Sequence, residues 1–334
     1  MEHIFKNRKT LVISMAEIKA LLPMGECIRI QRAAFEANAR GDAINAPNAW
    51  LRLPDQNRWM KLLAGYSAPV NAMGMKVLAR FPGNPPGMNI GSIVALFDPN
   101  DGFPLAIMDG VYFTAIRTGA GGGLSAFCCA RKNSTRLGIL GSGVQARFNL
   151  IAIRQLMPQV QTATVYSRSE ARRASFARQM QEETGAQITP VSTVEEALAG
   201  ADIVLTATNS RQPVLSPRLV PAGSHIVAVG IKSEIEPAVF KMARVIADGV
   251  EIAREDGKFS LAVKAGVVSP SDLQIELGDV LLGNAPGRTS DDEITLFDSS
   301  GLAIQDVVCA HYVYEKAKES AKGVWIDLGL GEFP

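Results

Sequence analysis

The sequence is poor in the residues that staple a small protein or load it with metal. It holds 4 cysteines and 3 histidines in 334 residues. Cys27, Cys128, Cys129 and Cys309 form no C-x-x-C pair, so no zinc ribbon or dithiol redox motif is written here. Cys128 and Cys129 sit side by side in an apolar stretch and read as free thiols of a reducing compartment. His3, His225 and His311 are scattered, which argues against a bound metal. Net charge is nearly absent, at a formal +1, and this removes the electrostatic case for nucleic acid or an acidic membrane surface. No apolar run approaches the roughly 18 residues of a membrane span. Residues 1–10 are mixed in charge and lack the apolar core of a signal peptide. The expectation from these absences is a cytoplasmic protein with no nucleic-acid or membrane partner. What is present is ordinary globular material, 47% apolar and 20% charged, long enough for two cores.

The pattern changes along the chain. Residues 15–40 have helical spacing through Ile18, Leu21, Ile28, Ile30 and Ala34. From 46 to 108, short apolar runs (61–63, 73–81, 92–97) alternate with turn signals at 82–87 and 98–102, which predicts an antiparallel β region. Asp109 is placed to cap a helix running to about 130. From Arg136 the order is strand, helix, strand, helix. Strands are predicted at 137–140, 163–167, 203–207, 226–229 and 244–247, with helices at 144–156 and 169–184. Continuous apolar runs of this kind suit a parallel sheet covered on both faces. The expected fold class is α/β. Residues 131–303 form a Rossmann-type, doubly wound parallel sheet domain. Residues 1–130 together with 304–334 form a discontinuous, β-rich α+β domain, to which a helix at 303–318 returns.

Gly141, Ser142, Gly143, Val144, Gln145 and Ala146 spell G-x-G-x-x-A between a predicted strand and helix. The first glycine permits the tight turn, the second lets a pyrophosphate approach the backbone, and Ala146 lets helix pack on strand. The helix N-terminus then offers free N–H groups to phosphate. At the tip of the next strand, where an NAD site usually carries an acid for the ribose hydroxyls, the chain has Ser167 and Arg168. A serine and an arginine suit a 2′-phosphate, with Arg172 or Arg173 assisting, so the sequence favours NADP(H) over NAD(H). Thr208 and Asn209 follow a later strand on the side where ligand lies.

Several motifs together resemble the ornithine cyclodeaminase/μ-crystallin family, in family order and over nearly the whole chain. They are Met75, Lys76 and Val77 before Pro82, Gly83, Asn84 and Pro85; Thr114 to Thr118 around Arg117; the glycine turn from Leu140; Ala228, Val229 and Gly230; Gly287 and Arg288 before the segment 293–298; and Gly301 through Asp306. The resemblance implies a homodimer joined through the β-rich domain, with the active site between the domains. It also implies nicotinamide chemistry on an imino or amino acid. In it, Arg117 and Arg52 bind the substrate carboxylate, and Lys76 polarises the imine or relays a proton. Thr118, Val229 and Gly230 join the cofactor contacts. The chemistry agrees: guanidinium groups grip a planar carboxylate, and a desolvated lysine can steady the proton that hydride addition to C=N requires. Arg80 shares a strand face with Lys76.

The chain departs from the cyclodeaminase pattern at two places. Lys232 stands where the family carries an aspartate, with Glu234 and Glu236 nearby as possible replacements, and Lys61 stands where a glutamate would meet the distal amine of ornithine. A cation there repels an ammonium tail and suits an acidic one. The reading is therefore an NAD(P)H-dependent reductase of an α-imino acid, of the Δ1-pyrroline-2-carboxylate reductase kind. The alternatives are an ornithine cyclodeaminase, an alanine- or opine-type amino-acid dehydrogenase, and an NADPH-binding, non-enzymatic μ-crystallin-like protein.

Overall fold

The computed structural model describes residues 8–54, 57–84 and 89–330. The start of the chain and the second half of the 82–87 turn lie outside the described residues. Among the described residues, no helix is long and apolar enough to cross a membrane. The chain divides into two compact units, Met1–Arg117 with Leu302–Pro334, and Thr118–Gly301.

The first unit is built on strands β1 (Thr10–Ile13), β2 (Ala43–Asn45), β3 (Ala49–Arg52), β4 (Trp59–Ser67), β5 (Ala72–Arg80), β6 (Ile90–Phe97) and β7 (Pro104–Asp109), with a further strand at Val324–Ile326. The sheet order is Val324–Ile326, β1, β7, β6, β5, β4, β2, and β3 also pairs with β4. The β4 to β7 meander is antiparallel, whereas β1 joins β7 in parallel. Alternation gives the sheet its sidedness. Lys61, Leu63, Gly65 and Ser67 of β4 and Ala72, Gly74 and Lys76 of β5 are buried. The helix Ala303–Glu319 packs on β4 and β5, burying Ile304, Val307, Val308 and Val313. The opposite sheet face carries Leu62, Tyr66, Met73, Met75 and Val77, all half-buried, beside exposed Ile93.

The helical stretch expected over 15–40 is two helices, Met15–Leu21 and Met24–Ala39. Pro23 lies between them, and its ring and missing N–H do not fit a helix interior. A capping box between Ser14 and Glu17 starts the first helix. The second packs on Ala303–Glu319.

The second unit is a parallel sheet of β8 (Arg136–Leu140), β9 (Thr162–Tyr166), β10 (Gln187–Pro190), β11 (Ile203–Thr206), β12 (His225–Ala228), β13 (Ala243–Ala247), β14 (Ile275–Glu276) and β15 (Ile294–Asp298). Its order is β10, β9, β8, β11, β12, β15, β13, β14. Every residue of β11 and β12 is buried, as a sheet covered on both faces requires. The direction of winding reverses between β8 and β11, the switch point at which doubly wound sheets bind ligands. The α/β fold class, a Rossmann-type sheet with a discontinuous β-rich unit, is therefore what the chain adopts.

The glycine run 119–123 has a packing role. It lies in the helix Gly110–Cys129, which starts where the Asp109 carboxylate accepts the Tyr112 N–H at 2.9 Å. A Cβ on Gly119 would stand 2.6 Å from the Phe148 backbone, and one on Gly123 would stand 2.7 Å from the Ala152 side chain. The run brings Gly110–Cys129 against the helix Val144–Leu156, which opens the dinucleotide turn.

Candidate active site

In the second unit the glycine turn follows β8 directly. Gly141 takes φ 109°, a conformation that strains any residue with a Cβ, and its N–H donates to the Tyr166 carbonyl at 2.8 Å. Gly143 is the N-cap of Val144–Leu156 and provides no side-chain cap, so the first-turn N–H groups stay available to an anion. A Cβ on Gly143 would meet nothing within 4 Å. The space over the turn is a cavity of about 930 Å³ lined by Gly141, Ser142, Gly143, Ser167, Arg168, Arg172, Thr208 and Asn209, within the usual size of a small-molecule site. This cradle fits a dinucleotide.

Five other residues expected at the cofactor do not line that cavity. Thr118 is buried in its helix, and Val144 is exposed on the first turn. Gln145 has its carbonyl bonded to Asn149. Val229 and Gly230 both donate their N–H to the Thr206 carbonyl, at 3.0 and 3.1 Å.

Glu234 is fully buried and already saturated. Its carboxylate accepts from Thr206 Oγ1 (2.8 Å), the Gly230 N–H (2.8 Å), and the N–H and Oγ1 of Thr208 (2.8 and 2.9 Å). Burial pushes its pKa up, and these donors and Lys258 oppose that rise. It ties the ends of β11 and β12 together. Lys232 is paired with Asp256, and Glu236 lines the rim of the dinucleotide cavity.

The first unit brings Lys76, Asp306 and Arg117 together in a buried charged cluster. The β4–β5 register sets Leu63 opposite Lys76, so Lys61 and Lys76 point to one face. Lys76, 2% exposed, donates from Nζ to Asp306 Oδ2 at 2.6 Å. Asp306 comes from the first turn of Ala303–Glu319 and is fully buried. Arg117 approaches from Gly110–Cys129, with Nε 3.5 Å from Asp306 Oδ1 and a guanidinium N–H donated to Gln305 Oε1 at 3.3 Å. Arg117 Nε and Asp306 Oδ1 are buried with no hydrogen-bond partner among the described residues. Burial first, and then the Arg117 charge, bring the Lys76 pKa down to about 8. Asp306 opposes this fall and Lys61 adds to it.

Arg52 and Lys61 meet at one aromatic ring. The Arg52 guanidinium is 4.3 Å and the Lys61 ammonium 5.1 Å from the Trp50 ring centre, within cation–π range. Trp50 opposes Lys61 across β3 and β4. Arg80, on the same face as Lys76, donates to the Asn57 carbonyl at 3.3 Å.

Sequence reasoning missed Asp306 as a site residue. It lies inside the segment 301–306 that supports the family resemblance, but an acid in a first helical turn reads as a dipole partner. The hint was an acid set in a mostly apolar stretch, after Ile304 and Gln305 and before Val307 and Val308.

The model of the ornithine cyclodeaminase/mu-crystallin family matches residues 8–321. The chain is 36% identical to an alanine dehydrogenase of Archaeoglobus fulgidus, over 92% of this chain and 95% of that protein. It is 33% identical to a Delta(1)-pyrroline-2-carboxylate reductase of Bacillus cereus, over 95% and 100%. Three solved structures superpose closely. The Thermococcus litoralis Delta(1)-pyrroline-2-carboxylate reductase with NADH and L-proline has a TM-score of 0.89 and 31% identity, covering 94% of this chain and 99% of that one. An archaeal alanine dehydrogenase dimer with bound NAD has 0.90 and 34%, covering 96% and 100%. The iminosuccinate reductase of Paracoccus denitrificans with NAD+ has 0.84 and 28%, covering 96% and 100%.

These structures correct the cofactor expectation. All three hold NAD(H), so the preference for NADP(H) is overturned. The local geometry supplies a reason. The Ser167 hydroxyl donates to the Ser169 carbonyl at 3.2 Å and accepts from Ser142 at 3.0 Å, while Arg173 is bonded to the Ser167 carbonyl. Arg168 and Arg172 are exposed. Ser167 and Arg173 are thus engaged in holding the loop, and the two solvated arginines, Arg168 and Arg172, do not by themselves make a built 2′-phosphate site.

Proposed function

Because the chain belongs to the ornithine cyclodeaminase/mu-crystallin family, we propose that it is an NAD(H)-dependent oxidoreductase that reduces an α-imino acid to the amino acid. A Δ1-pyrroline-2-carboxylate-like ketimine is the proposed substrate. The observation that carries this reading is the buried trio of Lys76, Asp306 and Arg117, in which Arg117 Nε and Asp306 Oδ1 face each other at 3.5 Å and neither makes a hydrogen bond among the described residues. Buried polar atoms without a hydrogen bond are expensive, and the substrate answers both: its carboxylate accepts from the guanidinium, and the N–H formed on reduction donates to the aspartate.

NAD(H) would be held by Gly141, Ser142 and Gly143, with Ser167, Thr208 and Asn209, and when bound it supplies the hydride. The chain's own residues do the rest. Arg117 holds the substrate carboxylate by charge-assisted hydrogen bonds, with Arg52 as a second anchor. Lys76 Nζ gives its proton to the imine nitrogen as that nitrogen gains electron density. Asp306 keeps Lys76 oriented and balances its charge. Glu234 is saturated and Lys232 is paired, so neither supplies a free acid for amine loss, which disfavours the cyclodeaminase alternative. A second reading, an amino-acid dehydrogenase forming its imine from a 2-oxo acid and ammonia, uses the same groups and is favoured by the 36% identity to an alanine dehydrogenase.

The chain would act as a homodimer through the open face of the first unit's sheet, where Leu62, Tyr66, Met73, Met75, Val77 and Ile93 form an apolar surface of the kind that marks an interface. The test of the function is NADH oxidation at 340 nm with Δ1-pyrroline-2-carboxylate, with pyruvate plus ammonia, and with ornithine as the contrasting substrate. Turnover with the imine or oxo acid supports the reading. Ammonia release from ornithine without net NADH change, and no turnover of the imine, would overturn it.

A further inference from the structure

Arg117 is held by a side chain that is itself held. Gln305 Oε1 accepts from Arg117 at 3.3 Å and from the Leu302 N–H at 2.9 Å. Its Nε2 donates to Gln31 Oε1 at 3.0 Å. Gln31 donates in turn from Nε2 to the Gln305 carbonyl at 2.9 Å and to Cys309 Sγ at 3.2 Å. Gln31 and Gln305 are 0% and 1% exposed. The two amides therefore form a linked network in the buried interior, where each bond depends on its neighbours.

The network has a direction. An amide can turn over and exchange its oxygen for its nitrogen, and only one orientation presents an acceptor to a guanidinium. Two groups select that orientation: Gln31 Oε1, facing Gln305 Nε2, and the Leu302 N–H, facing Gln305 Oε1. Without Gln31, Gln305 Nε2 loses its acceptor and the amide is held at its oxygen end alone, so the oxygen can shift away from Arg117.

We propose that Gln31, on the helix Met24–Ala39, is a positioning residue for the reaction: together with the Leu302 N–H it holds the Gln305 amide with its oxygen toward Arg117 and so steadies the guanidinium that binds the substrate carboxylate. The inference rests on the proposed function for its kinetic consequence, whereas its structural part stands apart from it. Arg117 also lowers the pKa of Lys76, to which Asp306 on Ala303–Glu319 and Lys61 on β4 are the other charged neighbours. A displaced Arg117 thus has a second signature, a rise in the Lys76 pKa.

The test uses the full-length protein with Gln31→Met, which removes the acceptor, and Gln31→Glu, whose neutral acid keeps both an acceptor and a donor. Gln31→Asn, polar but one methylene short, carries the same prediction if the Met variant does not fold. Two quantities are read: the Lys76 pKa, by NMR of 13C-labelled lysine with Lys76→Arg for assignment, and KM for Δ1-pyrroline-2-carboxylate with NADH. Gln31→Met or Gln31→Asn should raise the Lys76 pKa and raise KM about tenfold, the scale of one hydrogen bond to a charged group, with a smaller change in kcat. Gln31→Glu should restore both. A folded Met or Asn variant with the Lys76 pKa unmoved overturns the proposal, as does a loss of kcat alone. A moved pKa in a protein that turns over no imino acid would uphold the positioning role and reject the reductase reading instead.

Discussion

Lys76 Nζ and Asp306 Oδ2 lie 2.6 Å apart, although the two residues are 230 positions apart in the chain. Both are removed from water, at 2% and 0% exposure. A buried ion pair is weak evidence for stability, because desolvation offsets its attraction. Under the proposed function its value is chemical. Burial and the nearby Arg117 set the Lys76 pKa at about 8, close to working pH, where a proton donor is most effective.

The pH profiles of the two directions should therefore cross. Reduction needs Lys76 protonated, so its rate should fall as pH rises through about 8. Oxidation of the amino acid needs Lys76 neutral, so its rate should rise through the same region. Initial rates in both directions between pH 6 and 10, at saturating NADH or NAD+, check this. Parallel profiles would remove Lys76 from the proton transfer.

Gly143 should be important for binding and unimportant for folding. Its φ of −94° and ψ of −171° are open to any residue, and a Cβ there meets nothing within 4 Å. Gly143→Ala should keep the thermal midpoint of the wild type. It should weaken NADH binding by about tenfold or more, because the methyl group stands where the pyrophosphate approaches the backbone. Calorimetric titration with NADH and a melting curve separate the two effects.

Much of the second unit was legible in the sequence. β8, the glycine turn and Val144–Leu156 follow one another in a pattern that only a strand–turn–helix satisfies, and they stand where the spacing puts them. β10 was not found, because Gln187–Pro190 is mostly exposed and buries only Ile188. β14 has two residues, too few to show a period. The break at Pro23 was visible as a proline and was overridden by the apolar spacing on either side. In the site, Lys76 and Arg117 could be singled out because charges inside apolar runs are conspicuous. Asp306 and the Gln31–Gln305 pair could not, since their partners come from distant segments. The NADP(H) expectation failed for a related reason: residue types at the strand tip do not reveal that Ser167 is already bonded within its own loop.

His225 should make the protein sensitive to acid. Its ring is fully buried on β12 between Thr295 Oγ1 (2.9 Å) and Ser125 Oγ (3.2 Å). Burial, with Arg288 adding, lowers its pKa to about 3. The unfolded chain protonates this residue below about 6.5, while the folded chain keeps it neutral. Its contribution to stability is thus present above 6.5 and is lost as pH falls toward 3, at about 1.4 kcal/mol per pH unit. Glu234 and Asp298, whose pKa values burial raises, act in the opposite sense. Urea midpoints at pH 7, 5.5 and 4.5 for the wild type and His225→Asn isolate the histidine. The wild type should lose stability more steeply, and equal slopes would contradict its role.

The most direct measurement is the steady-state reduction of Δ1-pyrroline-2-carboxylate by NADH in the wild type and in Lys76→Met, with NADH affinity measured on both. The wild type should oxidise one NADH per L-proline formed. Lys76→Met should bind NADH as tightly and lose about 100-fold or more in kcat, the usual worth of a positioned proton donor. A folded Lys76→Met enzyme that still turns over within a few-fold of the wild type would contradict the account.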